Sequence, residues 1–205
     1  MTSYRLEGIP PAVVTPHGQR SLLVVTPTTV SNLKTRAMLY TEGPYQAGSF
    51  AINQWQAPPA QMLLPLIVTH LQNSGGFSAV VAQPFTGATD LRLTTQLLIF
   101  QQEFSGSQSQ FHLEMVATLV SVKTNQIMAS RRFSAFVTAP EPTPYGGVVA
   151  ANRAVAQVLQ QLTQWCLQTP GSGNRSHLPS PHWSRVKIKY TIAVSQFCLL
   201  QNHLR

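Results

Sequence analysis

Three histidines (His17, His70 and His112) and six carboxylates (Glu7, Glu42, Asp90, Glu103, Glu114 and Glu141) are the groups among the first 168 residues whose chemistry could move a proton or hold a metal. His17 stands between Pro16 and Gly18 in a loop, His70 closes a helical pattern, and His112 lies on the polar side of an alternating strand. A nucleophile needs a base within hydrogen-bond reach, and residues this scattered do not suggest one. Each histidine therefore reads as structural. Glu103 and Glu114 would face each other across one hairpin, but carboxylates on an exposed sheet are usually only solvated. Neither a P-loop nor a G-x-G-x-x-G is present; Gly146-Gly147 opens a helix without the rest of a phosphate-binding motif. Cys166, beside Trp165 near a helix end, reads as a small buried apolar side chain. With Cys198 it makes two cysteines, too few for a four-cysteine zinc site. Nothing here calls for an enzyme, a metal or a cofactor.

Recognition of a partner is the remaining chemistry. Arg and large aromatic residues are the side chains most enriched at binding hot spots. Trp55 and the run Arg131-Arg132-Phe133 are the candidate partner contact on that ground. Two ordinary alternatives stand beside it. An aromatic just ahead of a helix commonly packs under it, and consecutive arginines on a strand point to opposite faces.

The elements that must position these residues are bounded by composition. The chain has 205 residues, enough for one domain with a sizeable core. Only 10% of them are charged, against about 25% in ordinary soluble domains. The polar surface must therefore be built from Gln, Ser, Thr and Asn. Residues 1–168 carry nine basic and six acidic side chains, net +3, whereas residues 169–205 carry five basic and no acidic ones. The tail thus holds most of the formal charge of +8. Such a tail can bind nucleic acid or an anionic surface through charge alone, which is the alternative function for the chain. It follows Pro170-Gly171-Ser172-Gly173-Asn174, a flexible-linker composition, and the domain boundary is placed at about residue 168. The tail reads as flexible or non-native, and as dispensable for the fold.

Short strands are expected at Tyr4–Glu7, at Leu22–Val25 (buried on both faces), and as a hairpin of Ala37–Tyr40 with Ser49–Asn53. A helix near 59–74 opens on Pro58-Pro59 and stops at Gly75-Gly76; Pro65 should kink it or mark its regular start. Three longer strands follow near 91–104, 109–122 and 126–138, joined by hairpin-length turns into an antiparallel meander. In the first of them the apolar positions are odd through Leu97 and then even through Leu98, Phe100 and Phe104, as a β-bulge requires. The third is expected to turn Ile127, Ala129, Phe133, Ala135 and Val137 inward. A second helix near 147–167 carries Val148, Ala151, Val155, Val158, Leu162 and Trp165 at spacings of 3, 4, 3, 4 and 3, one continuous apolar stripe. The expected fold is α+β: a mainly antiparallel sheet with two principal helices packed on it.

The order of several segments resembles a known family. Tyr4-Arg5-Leu6, Leu22-Leu23-Val24 before Pro27, and Trp55-Gln56-Ala57-Pro58-Pro59-Ala60-Gln61-Met62-Leu63 come first. Leu71-Gln72-Asn73-Ser74-Gly75-Gly76-Phe77, Leu97-Leu98-Ile99-Phe100, Ala129-Ser130-Arg131-Arg132-Phe133 and the Ala150-to-Trp165 helix follow. Over about residues 3–168 this set resembles the ABC-type transport auxiliary lipoprotein family, the PqiC-like accessory components of MCE-type lipid transport systems. The resemblance implies a periplasmic, non-enzymatic α+β domain tethered to the outer or inner membrane by a lipidated N-terminal Cys. It implies an MCE-domain protein and ABC transporter subunits as partners. Phospholipid and further copies of the chain are also admitted as partners, and no specific nucleic acid. The family places a signal peptide and lipobox Cys just ahead of the Tyr-x-Leu strand, where this sequence has Met1-Thr2-Ser3. The tail has no counterpart in the family pattern.

Overall fold

The structure, a computed structural model, describes residues 1–8, 12–43 and 45–169. The expectations for the tail beyond Thr169 lie outside the described residues. Among the described residues nine strands form one sheet: β1 Thr2–Tyr4, β2 Ser21–Val24, β3 Thr28–Thr29, β4 Ala37–Glu42, β5 Gln46–Trp55, β6 Ala79–Ala82, β7 Leu91–Ser105, β8 Gln108–Ser121 and β9 Gln126–Thr138. Two helices, α1 Pro59–Asn73 and α2 Pro144–Gln168, pack against it.

The meander β7–β8–β9 is antiparallel throughout, as its alternation and short turns require. The sheet as a whole is mixed, which corrects the mainly antiparallel expectation. Its organiser is β7, fifteen residues long. One edge of β7 takes β8; the other takes three short strands in succession, all parallel to it. β2 lies beside Leu91–Leu93, β3 beside Gln96–Leu97 and β4 beside Gln101–Phe104. Residues 21–42 thus run alongside β7 as one interrupted strand. Pro27, which has no N–H to give a ladder, falls in the first gap, and a 3₁₀ turn at Ser31–Leu33 fills the second. β1–β5 and β2–β6 are parallel as well, and β4–β5 is the expected hairpin.

Both period changes in the meander have a residue behind them. In β7 the register shifts between Leu97 and Ile99, so Leu98 is the extra residue and the buried positions pass from odd to even where expected. β9 has a second shift that alternation did not announce: Leu119 faces Ala129, but Val120 faces Ile127, leaving Met128 as the extra residue. Ile127 is consequently turned outward, at 69% exposure, and not inward as expected.

α2 begins at Pro144, three residues ahead of the expected start, because Thr143 caps it: its Oγ1 accepts from the Gly146 N–H at 3.0 Å. The stripe Val148–Ala151–Val155–Val158–Leu162 is buried, against the inward residues Phe111, Leu113, Met115, Ala117 and Leu119 of β8. α1 begins at Pro59 and continues through Pro65, so that proline does not mark its start. Gly75 follows with φ +67°, a left-handed turn that suits glycine. The first strand is β1 at Thr2–Tyr4, slightly ahead of the expected Tyr4–Glu7. In β2 only Leu22 and Val24 are fully buried, so it is covered on one face and not both.

Candidate functional site

The face of β7–β9 opposite the core carries Gln, Ser and Thr side chains, and among them one connected charged group. Cross-strand register assembles it. On β8, His112 pairs with Gln101 of β7 and Phe136 of β9, which brings Glu103 to its diagonal and sets Phe136 directly over it. The His112 Nδ1–H donates to Glu103 Oε1 at 2.9 Å, and the ring stacks on Phe136 with centroids 3.9 Å apart. Glu114 Oε2 is 4.0 Å from His112 Nε2, while its Oε1 accepts from Arg132 Nη1 at 2.7 Å. His112 is only 8% exposed, but Phe136, at 56%, and the Arg132 guanidinium lie outermost. Burial raises the Glu103 carboxyl, and the hydrogen bonds from His112, Gln110 and Gln101 outweigh it, leaving Glu103 below its ordinary value.

A second carboxylate, Asp90, ties the start of β7 to β2. It accepts from the Ser21 N–H and hydroxyl, each at 2.8 Å. Those two bonds, with a smaller contribution from Arg20 and against some desolvation, hold its carboxyl below the ordinary range. Both groups are deprotonated more readily folded than unfolded. Their stabilisation is present above the unfolded values near pH 4 and is lost as pH falls through the lower folded values. Asp90→Asn is therefore expected to flatten the acid limb of the stability–pH curve below about pH 4, read from urea midpoints. An unchanged limb would show that the Ser21 bonds add nothing.

A groove of about 830 Å³ lies between residues 3–8 and the first three turns of α2. Tyr4 and Tyr145 both line it, their rings in tilted contact with centroids 6.3 Å apart. Arg5 and Arg153 also line it, with Glu7 and Gln56.

The four residues read as a partner contact do not form one surface. Trp55 is 1% exposed and packs on Phe100 and Phe111. Phe133 is as buried, edge-on to Trp165 of α2. Arg131, on the same face of β9, places its guanidinium 5.3 Å from the Phe133 ring centre. Arg132 points the other way, to Glu114. Two of the four are core, and strand alternation separates the two arginines. What the sequence reading missed is His112 between Glu103 and Glu114. The signal was the short turn after Ser105, which fixes the hairpin register and so the diagonal between 103 and 112.

Among the described residues, the buried His112 Nε2 has no hydrogen-bond partner, so no hydroxyl or thiol stands there. Burial pushes the Cys166 thiol up to about 12, far from a reactive thiolate. Among the described residues no three His, Cys, Asp or Glu side chains gather to hold a metal, and no helix is long and apolar enough to cross a membrane.

Fold and sites together define an α+β domain of two helices on a mixed sheet, with an open sheet face and a groove beside residues 3–8. The family model described as "ABC-type transport auxiliary lipoprotein component" matches residues 4–163, and the chain belongs to that family. Among solved structures it resembles protein XCC0632 from Xanthomonas campestris, with TM-score 0.71 and 23% identity over 82% of this chain and 96% of that one. An uncharacterized protein gives TM-score 0.63 at 18% identity, covering 80% of this chain and 97% of that one. Hypothetical protein CT253 from Chlamydia trachomatis gives 0.50 at 3% identity, covering 74% and 98%. At these identities the likeness is one of fold. Among curated proteins no match was found.

Proposed function

We propose that the chain is a non-enzymatic periplasmic accessory of an MCE-type ABC lipid transport system, acting by binding partner subunits. The observation that carries this is the family match, which spans the β-meander and nearly all of α2. The family is described as an auxiliary component of a transporter, a role that needs docking surfaces and no turnover. The open sheet face supports the reading. Arg132 and Phe136 stand out from it, braced from below by Glu114 and His112, so an Arg and an aromatic anchor are held ready in one place. The low charge of the chain suits docking better than steering of ionic ligands.

Affinity capture from envelope extracts tests it. The native protein is expected to recover an MCE-domain protein or transporter subunit, and Arg132→Glu, which reverses the charge beside Glu114, to recover at least about tenfold less. Recovery of no transporter component by the native protein would sink the function. Equal recovery by the variant would discard this face and leave the function standing.

A further inference from the structure

We infer that the outer edge of β9 pairs with β9 of a second copy of the chain, antiparallel about a two-fold axis through Ser134. Among the described residues β9 is paired on one side, by β8, and its other side is an edge of the sheet. Which backbone groups lie on that edge follows from the ladder. The Ala139 N–H donates to the Ser109 carbonyl at 2.9 Å, continuing the register in which Thr138 faces Gln110. In an antiparallel strand the N–H and C=O of one residue point the same way, so the odd positions after the Met128 bulge turn both groups to β8. Ser130, Arg132, Ser134, Phe136 and Thr138 turn theirs outward, and all of these residues are exposed. The run is bounded at one end by the bulge and just past the other by Pro140, which has no N–H to give.

This run is complementary to itself. Outward-bonding residues must face one another, and a two-fold at Ser134 engages every one of them: Ser130 faces Thr138, Arg132 faces Phe136 and Ser134 faces Ser134. A centre moved by one residue to either side leaves an end of the run unpaired, and a centre at Arg132 sets two guanidinium groups opposite each other. In the Ser134 register Arg132 of each copy lies over Phe136 of the other. Glu114 already holds Arg132 outward at 2.7 Å, and Phe136 is propped on the His112 ring, so both are placed for a cation–π contact made twice. Ser130 and Thr138 meet as hydroxyl pairs. α2 lies over β8 and β9, so a strand spacing of about 4.8 Å sets the helices of the two copies about 10 Å apart, a distance at which helices pack. The exposed positions Gln157, Gln160, Gln161 and Gln164 of α2 are uncharged, and no like charges among them hold the helices apart. The inference does not depend on the transport role; it makes the docking face proposed above continuous across two copies.

Sedimentation of the purified full chain from about 1 to 100 μM is the first test, and the native chain is expected to pass from monomer to dimer in that range. Ser134→Pro removes an N–H that is free in the single chain and bonded in the pair, and proline is tolerated where an edge N–H faces solvent. With an unchanged thermal midpoint when dilute, it is expected to dimerise at least about tenfold more weakly. Phe136→Lys, which sets an ammonium against Arg132 of the other copy, should weaken the dimer likewise, and it decides the matter if the proline variant does not fold. Lys123→Glu, in the turn between β8 and β9, should dimerise as the native chain does. Register is read by a short bifunctional thiol reagent in a Cys198→Ser background, where Cys166 is buried and silent. Ser134→Cys should cross-link to itself; Ser130→Cys should not, but should cross-link to Thr138→Cys when the two are mixed. A native chain monomeric throughout the range, Ser134→Pro or Phe136→Lys variants that associate as the native chain does, or Ser130→Cys linking to itself as readily as to Thr138→Cys would each overturn the inference. No transporter component is present in these measurements. A monomer with intact affinity capture therefore sinks this pairing alone, and a dimer without capture sinks the transport role alone.

Discussion

Replacing Trp55 by Ala is expected to destabilise the domain by about 3–5 kcal/mol, the usual cost of truncating a fully buried large aromatic. Trp55 ends β5 and stands just ahead of α1, and its ring is 5.4 Å from that of Phe100 and 6.4 Å from that of Phe111, which are themselves 4.8 Å apart. These three rings join β5, β7 and β8, so the cavity left by truncation opens where three strands meet and cannot easily collapse. The backbone holds the same point: the Trp55 N–H donates to the Arg36 carbonyl and the Gln56 N–H to the Tyr4 carbonyl. The indole Nε1–H has no partner among the described residues, so Trp55→Phe gives up volume without breaking a hydrogen bond seen there. It should cost clearly less than the alanine variant. Urea unfolding of both variants provides the comparison. A loss under about 1 kcal/mol for Trp55→Ala would show that this aromatic cluster is not the core of the sheet.

The same residue shows what the sequence could reveal and what it could not. Trp55 ahead of Pro58-Pro59 was legible either as a hot-spot aromatic or as a residue packed under a helix, and local sequence cannot choose between them. The choice depends on which strands lie beside β5. Period-2 alternation made β7 and β8 readable, including the extra residue Leu98, because a bulge leaves its trace in the apolar pattern of its own strand. The bulge at Met128 left no such trace: Ile127 and Ala129 keep the apolar alternation on either side of it, and only the pairing with β8 reveals the shift. The parallel edge of β7 was hidden for a related reason. β2, β3 and β4 are four, two and six residues long, and their residues pair with β7 partners 62 or more positions away in sequence. Nothing local records a partner at that distance. The same holds for the sites. Glu103, His112 and Glu114 were each visible, but their junction needs the register of the hairpin, and its outer members need the register of β9 as well. The groove joins residues 3–8 to residues 145–153, a pairing no motif announces.

Leu162→Ala is expected to destabilise the fold by about 2–5 kcal/mol, with Ile127→Ala within about 0.5 kcal/mol of the native chain. Both are aliphatic positions that the sequence pattern assigns to an inner face, so the pair isolates burial from residue type. Leu162 belongs to the buried stripe of α2, and its side chain is 1% exposed. α2 packs on β8 and β9, and Trp165, one turn further on, meets Phe133 of β9. Truncating Leu162 removes apolar contacts and leaves a cavity between helix and sheet, whose cost depends on how far the neighbours relax. Ile127 lies beyond the Met128 bulge, where β9 has reversed its faces and turned the side chain to solvent. Truncation there removes area that was never taken from water, apart from a small change in strand propensity. Equal losses for the two variants would mean that β9 keeps one register along its whole length and that Ile127 is core. A small loss for both would mean that α2 does not seal the sheet. Only a large loss at 162 with near-neutrality at 127 fits a helix packed across a bulged edge strand.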